Sequence, residues 1–419
     1  MLAGFLGWPI AVRIAGVALV AIVAARFINW AIYNWAYNRR ALGPWAKPPL
    51  GARPHTMLDH VPIWGWYALR RESDQVGKSF WIRPLLIELL FPAAIAWYYY
   101  FYVGGGALDI PAAQLKIQPQ LHCQFVGHFV LFTLMTIATF IDFDEHSIPD
   151  YITVPGTVIG LAGATFALAW LPFRIFPAAG FNAIEEMHCN APFGWPNALN
   201  GSQGLAIALL IVCVWGFALL DRRWITRRGF RKAIQYFFAR LLRNRAVWLP
   251  ILCVTVGLLV AISCVWFAGL ARWQYLMSSL LGLAFGGGFT WAVRLSASWG
   301  LRVEALGFGD VTLMAMIGTF LGWQASLIVF FLGPLIALMF VLVRRLVTGE
   351  STTPYGPYLC GATVVLLVFW DSLWTNWAER MFDLGGMFFV GIGVSCVVLM
   401  GALLWIWRLI KQALGIEMY

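Results

Sequence analysis

Two short stretches carry the carboxylates best placed to do chemistry in this chain. FIDFDEHSIPD, at 140–150, holds Asp142, Asp144, Glu145 and Asp150, and LRVEALGFGD, at 301–310, holds Glu304 and Asp310. The first follows the apolar run HFVLFTLMTIATFI, and the second leads into VTLMAMIGTFLGWQ. A carboxylate at the edge of such a run is costly unless it meets water, a partner or the interior of a helix bundle. Asp142 would sit at the C-terminal end of a helix, where the helix dipole disfavours an anion. Asp310 would sit at a helix start, where an acid is an ordinary cap. Two carboxylates brought together cannot both ionise easily, so one tends to hold a shared proton. Such a pair can supply a general base toward water and a general acid toward a carbonyl. Gly307 and Gly309, on either side of Phe308, allow a tight backbone and close approach of a substrate strand before Asp310. From residue types alone, a catalytic Asp142/Asp310 pair and a set of solvated helix-end acids both stand.

The elements that would have to position these acids are legible from composition. The chain is 61% hydrophobic and 11% charged, with a mean hydropathy of +0.76, against about 25% charged in a soluble domain. Apolar runs recur at about 20 residues, the length of a spanning helix, rather than the roughly ten of a barrel strand. The expected fold is therefore all-α, a polytopic transmembrane bundle of about 10–11 spans. The spans read as 9–29, 84–103, 123–141, 152–172, 204–220, 249–270, 276–294, 311–322, 325–343, 358–371 and 384–407. The first lacks a basic leader and a small-residue cleavage site, and reads as a retained span. Basic residues gather in 36–83 and 221–248, at Arg344 and Arg345, and at Arg408 and Lys411. With the N-terminus outside, all of these fall in the cytoplasm, as does the C-terminus. The net charge of +10 is thereby explained by topology and lipid, and nucleic acid is not an expected partner. Both acidic motifs then fall on the cytoplasmic face. None of the seven cysteines forms a C-x-x-C pair, and most read as small core residues. Glycines spaced four apart, Gly156/Gly160, Gly282/Gly286 and Gly318/Gly322, predict close helix packing.

The combination IDFDEHSIPDYITVPGTVIGL, followed much later by EALGFGDVTLMAMIGTFLGWQ, resembles the type IV prepilin peptidases, polytopic aspartic proteases with a GxGD motif. TPYGPYLCGA (353–362), ARFINWAIYN (25–34), DHVPIWGWYALR (59–70) and RPLLIELLF (83–91) resemble further segments of that family. The resemblance implies a bacterial inner-membrane enzyme that removes the leader peptide of prepilins or pseudopilins at the cytoplasmic face. It maps the catalytic aspartates onto Asp142 and Asp310, and makes Asp150, Asp144 and Glu304, with Gly307 and Gly309, supporting positions. Proteolysis would need no cofactor. Bifunctional relatives also N-methylate the new N-terminus with S-adenosylmethionine and hold zinc through four cysteines. Here 36–83 contains no cysteine, so zinc is not expected, while methylation stays open. His55, Asp59 and His60 match no zinc spacing. Thr312 stands where the family usually has lysine.

The chain divides into 1–103, the methyltransferase-like region; 104–203, with Asp142; 204–271, an inserted two-span hairpin; and 272–419, with GxGD. The insertion's loop reads as a basic surface helix with Phe230, Ile234, Phe237, Phe238 and Leu241 on one face. Two other classes compete: a catalytically degenerate homologue that binds pilins or assembles membrane complexes, and a proton-coupled transporter. Transporters place such acids near mid-bilayer and show inverted repeats; these acids lie at span ends and no repeat is visible.

Overall fold

A computed structural model describes residues 7–49, 51–104, 118–167, 169–178, 181–220, 245–348 and 354–413, and the single positions 235, 239 and 243. The expected basic surface helix of the insertion lies outside the described residues apart from those three positions. Ten long helices build the described chain, beside shorter helical turns: α1 (Ile10–Trp35), α2 (Ile82–Val103), α3 (Gln118–Glu145), α4 (Asp150–Phe166), α5 (Ser202–Leu219), α6 (Arg245–Ala268), α7 (Leu270–Leu301), α8 (Phe308–Thr348), α9 (Gly356–Val368) and α10 (Gly386–Ala413). Eight of them, all but α4 and α9, are long and apolar enough to cross a membrane.

Three details reconcile these with the expected spans. Helix α4, 17 residues long, stops at Phe166, short of the expected end at 172. Helix α9 bends by 78° into a second helical piece, Asp371–Phe382. Helix α8 is broken at Gly322, whose φ of 77° no helix accommodates. Before the break, Gly282 and Gly286 of α7 pack on the carbonyls of Gly318 and Met314. After it, Phe285 and Phe289 of α7 meet Trp323 and Phe330 at ring distances of 5.4 Å and 4.8 Å. One half of α8 thus runs antiparallel to α7 and the other parallel, so α8 is a hairpin of two crossings.

Gly156, Gly160, Gly282, Gly286 and Gly318 pack helices as their spacing predicts, whereas Gly322 instead breaks α8. A Cβ at Gly282 would overlap the Gly318 carbonyl, one at Gly156 would strike Met316, and one at Gly160 would strike Thr319. Close approach of backbones is what holds helices together where lipid removes the hydrophobic drive.

The bundle has two distinct ends. At one, the segment 169–201 folds over the helix termini, with a hairpin of Phe173–Ala178 against Phe181–Glu186. This strand pair is absent from an all-α reading, because its alternation is too short to stand out from the neighbouring loop. Trp370 and Trp323 donate indole N–H groups to the Phe173 and Cys189 carbonyls there. Glu186, the buried last residue of the hairpin, accepts the N–H groups of Trp170 and Leu171, and burial pushes its carboxyl up to about 7. All seven thiols are free. At the other end lie the start of α8, the start of α9 and the ends of α1, α3 and α7, and both acidic motifs.

Candidate active site

Helix α3 ends in the turn that carries the first motif. His146, at φ 51°, takes the left-handed conformation that stops a helix, and its N–H bonds the Asp142 carbonyl at 2.9 Å. Ile148 and Pro149 then cross to α4. This turn is where three helices meet. Gly309, at the start of α8, lies so close that a Cβ on it would be 2.9 Å from Ile148 N and 3.0 Å from Ile148 Cβ. Gly356, at the start of α9, would put a Cβ 2.8 Å from Ile148 Cδ1 and 2.6 Å from Asp142 Oδ2. Two glycines without side chains are therefore what let α8 and α9 close on the end of α3.

Asp142 and Asp310 are both buried there, at 4% and 7% exposure, near enough to interact electrostatically. Asp142 Oδ2 accepts the Gly356 N–H at 3.1 Å. A Cβ on Gly307 would lie 3.3 Å from Asp310 Oδ2. Thr312, in the position expected for a lysine, turns its hydroxyl onto the Gly309 carbonyl at 3.0 Å. Two buried carboxylates close enough to interact cannot both ionise easily, and a pair that shares one proton meets the requirement for acid–base attack of water on a carbonyl.

The other expected site acids sit elsewhere. Asp144 pairs with Arg83 of α2 at 2.6 Å and with Arg40 at 3.4 Å. Glu145 clamps the N–H groups of Tyr37 and Asn38, just past α1, at 2.9 Å and 2.8 Å. Together they tie the end of α3 to the exit of α1 and the entry of α2. Asp150 is exposed in the first turn of α4, a stabilising place for an acid at a helix N-terminus. Glu304 is exposed and ion-paired to Arg294. Arg294 also donates to the Leu306 carbonyl at 2.8 Å and lies over the Phe308 ring, so it braces the GxGD turn. Reading the acids alone passes over Arg294; its signal is a lone arginine within the apolar run GGGFTWAVRLSASWG.

The loop between α1 and α2 is held by ion pairs. Arg71 grips Asp59 with two bonds of 2.8 Å and holds its carboxyl well below the usual carboxylate range. His55 meets Glu72 at 2.9 Å, and His60 Nδ1 contacts the Thr56 carbonyl. With Asp59, Glu72 and one nitrogen of each histidine so engaged, and with no cysteine in the loop, this donor set does not fit zinc. Behind it, Glu88 is fully buried and accepts from Asn29, Trp66 and the Ile63 backbone, with Arg26 alongside.

Fold and site together define a polytopic helical membrane protein with a buried aspartate pair at one end of its bundle. Residues 237–343 match the type IV leader peptidase family, so this region is similar to that family. The prepilin leader peptidase/N-methyltransferase of Pseudomonas aeruginosa is 33% identical over 115 residues, 26% of this chain and 40% of that protein. Its namesake in Aeromonas salmonicida is 32% identical over 119 residues, 25% of this chain and 40% of that protein. The chain thus spans about two fifths of the length of the curated relatives it matches. No solved structure matches.

Proposed function

We propose that this chain is an aspartic endopeptidase of the bacterial inner membrane that cleaves the leader from type IV prepilins or pseudopilins at the cytoplasmic face. The observation that carries the reading is the meeting of Asp142 and Asp310, from distant helices, in one buried site within a chain that matches leader peptidases. The ionised carboxylate takes a proton from water as its oxygen attacks the scissile carbonyl carbon. The protonated one gives its proton to the carbonyl oxygen. Collapse of the tetrahedral intermediate breaks the C–N bond, with a proton delivered to the leaving amine. The orientation rests on the basic loops: 36–83, which adjoins Asp144 through Arg40 and Arg83, lies at the aspartate end, and the positive-inside rule makes that end cytoplasmic. A leader rich in lysine and arginine would meet an exposed Asp150 and Glu304 at the rim of the site.

N-methylation of the new N-terminus is a second reading of the N-terminal region. It is favoured by the cluster around Glu88, where Asn29 Oδ1 and Arg26 Nη2 are buried without hydrogen-bond partners, polar groups free for a ligand such as S-adenosylmethionine. Bound there, that cofactor would supply the methyl group; Glu88, Asn29 and Arg26 would hold it.

The test is co-expression with a prepilin bearing a cleavable leader, followed by mass analysis of the pilin N-terminus. Loss of the leader supports the peptidase, and an added methyl supports the transferase. An intact leader beside a well-inserted enzyme and a cognate substrate rejects the peptidase in favour of a pilin-binding or assembly role.

A further inference from the structure

Asp142 stands at the end of α3, where the dipole of its own helix works against a negative charge. What offsets that is the start of another helix. The first turn of α9 has few donors to offer. Pro357 has no N–H, and the N–H groups of Tyr358 and Leu359 both turn back to the Tyr355 carbonyl, at 3.0 Å and 3.4 Å. The Gly356 N–H is the donor left over, and it is spent on Asp142 Oδ2 at 3.1 Å. Such orphan donors at a helix start, backed by the positive end of the helix dipole, are a natural seat for an anion. The seat needs glycine for a steric reason, since a Cβ there would be 2.6 Å from the same oxygen.

We propose that Gly356 is a positioning residue of the reaction: its N–H and the start of α9 hold Asp142 in place and keep it ionised as the general base. This rests on the peptidase reading above. The other titratable groups that interact with Asp142 are Asp310 from α8, His146 from its own turn and Cys360 from α9, while Tyr355, the cap of α9, interacts with Asp310. Of these, Asp310 opposes ionisation of Asp142 and His146 favours it when protonated. A change at 356 leaves both groups present, so the two variants are compared: loss of the donor in Gly356→Pro must shift the profile at least as far as displacement of the carboxylate in Gly356→Ala.

The experiment measures leader cleavage across pH by wild-type enzyme and by the Gly356→Ala and Gly356→Pro variants in proteoliposomes. Alanine keeps the donor but pushes the carboxylate off it. Proline deletes the donor at a position where helices accept proline. A hydrogen bond to a charged group weighs enough to move the acid limb of kcat/KM upward by about one to two pH units. That shift, at least as large in the proline variant, with KM little changed, is the expected result. A fall in rate that is uniform across pH, or an unshifted limb, overturns the proposal. Should both variants lose their thermal transition, an amide-to-ester substitution at 356, which removes the N–H and adds no side chain, is read by the same criterion. Absence of cleavage by the wild-type enzyme defeats the peptidase reading itself, whereas wild-type cleavage with an unshifted Gly356→Ala profile defeats only the role of α9.

Discussion

The two halves of the proposed site touch at Gly309. It sits beside Asp310 and presses on the backbone of Ile148, in the turn that follows Asp142. A Gly309→Ala methyl would begin 2.9 Å from Ile148 N and 3.0 Å from Ile148 Cβ, while unstrained carbon contacts lie at about 3.5–4.0 Å. The start of α8 must therefore retreat by roughly 0.5–1 Å. Gly309 adjoins Asp310 and Ile148 lies in the turn after Asp142, so most of the retreat appears as added distance between the aspartates. A misplacement of about 1 Å costs up to about 100-fold in rate, so Gly309→Ala is expected to lower kcat by about 10- to 100-fold. Overpacking of this kind costs about 1–3 kcal/mol of stability, so the variant should still fold. The assay is leader cleavage under single-turnover conditions in proteoliposomes, with Gly288→Ala as the control, because a Cβ at Gly288 meets nothing within 4 Å. Cleavage by Gly309→Ala within twofold of the control would refute the argument that this contact sets the spacing of the pair.

Further outcomes follow from the ion pairs. Arg83→Ala breaks the 2.6 Å bond to Asp144 and should destabilise the protein by about 1–3 kcal/mol. In a thermal double-mutant cycle with Asp144→Asn the two losses should be clearly less than additive, and full additivity contradicts a direct clasp. Arg294→Ala frees the Leu306 carbonyl and should slow cleavage severalfold, whereas Glu304→Gln, on an exposed side chain, should change it little; equal effects would place the role on Glu304 instead. Asp59 has a carboxyl lowered by Arg71. Its stabilisation is full above the ordinary carboxylate value and is lost as pH falls through the depressed folded value. Protease resistance of the α1–α2 loop should therefore persist through about pH 4 and fail below it. Asp59→Asn should weaken the loop at neutral pH and flatten that dependence.

Much of the architecture was open to reading from the chain. Each long helix announces itself by an apolar run, and the lipid environment forbids other ways of satisfying the backbone. Gly282, Gly286, Gly156 and Gly160 declare their packing role by spacing. The break at Gly322 is visible as two adjacent runs, 311–322 and 325–343, although its hairpin geometry depends on α7 filling both sides. The acids are visible too, but their partners are not. Asp144 and Glu145 look like Asp142 in the sequence, and only the arrival of Arg83, Tyr37 and Asn38 from far along the chain distinguishes anchor from reactive group. Gly356 carries no chemical side chain, so its backbone donation to Asp142 has no sequence signature beyond the motif around it. The 169–201 cover was illegible because it is held by indole and amide bonds to carbonyls, such as Trp323 to Cys189 and Gln324 to His188, which any loop could make.

The proposed action of Asp142 and Asp310 as one proteolytic pair is tested by replacing each alone. Purified wild type, Asp142→Asn and Asp310→Asn would be reconstituted with a synthetic prepilin, and the N-terminus of the product read by mass spectrometry. The account predicts a released leader with the wild-type enzyme and none with either variant, while both keep the helical signal and thermal midpoint of a folded bundle. Persistent cleavage by a folded Asp142→Asn or Asp310→Asn variant contradicts it.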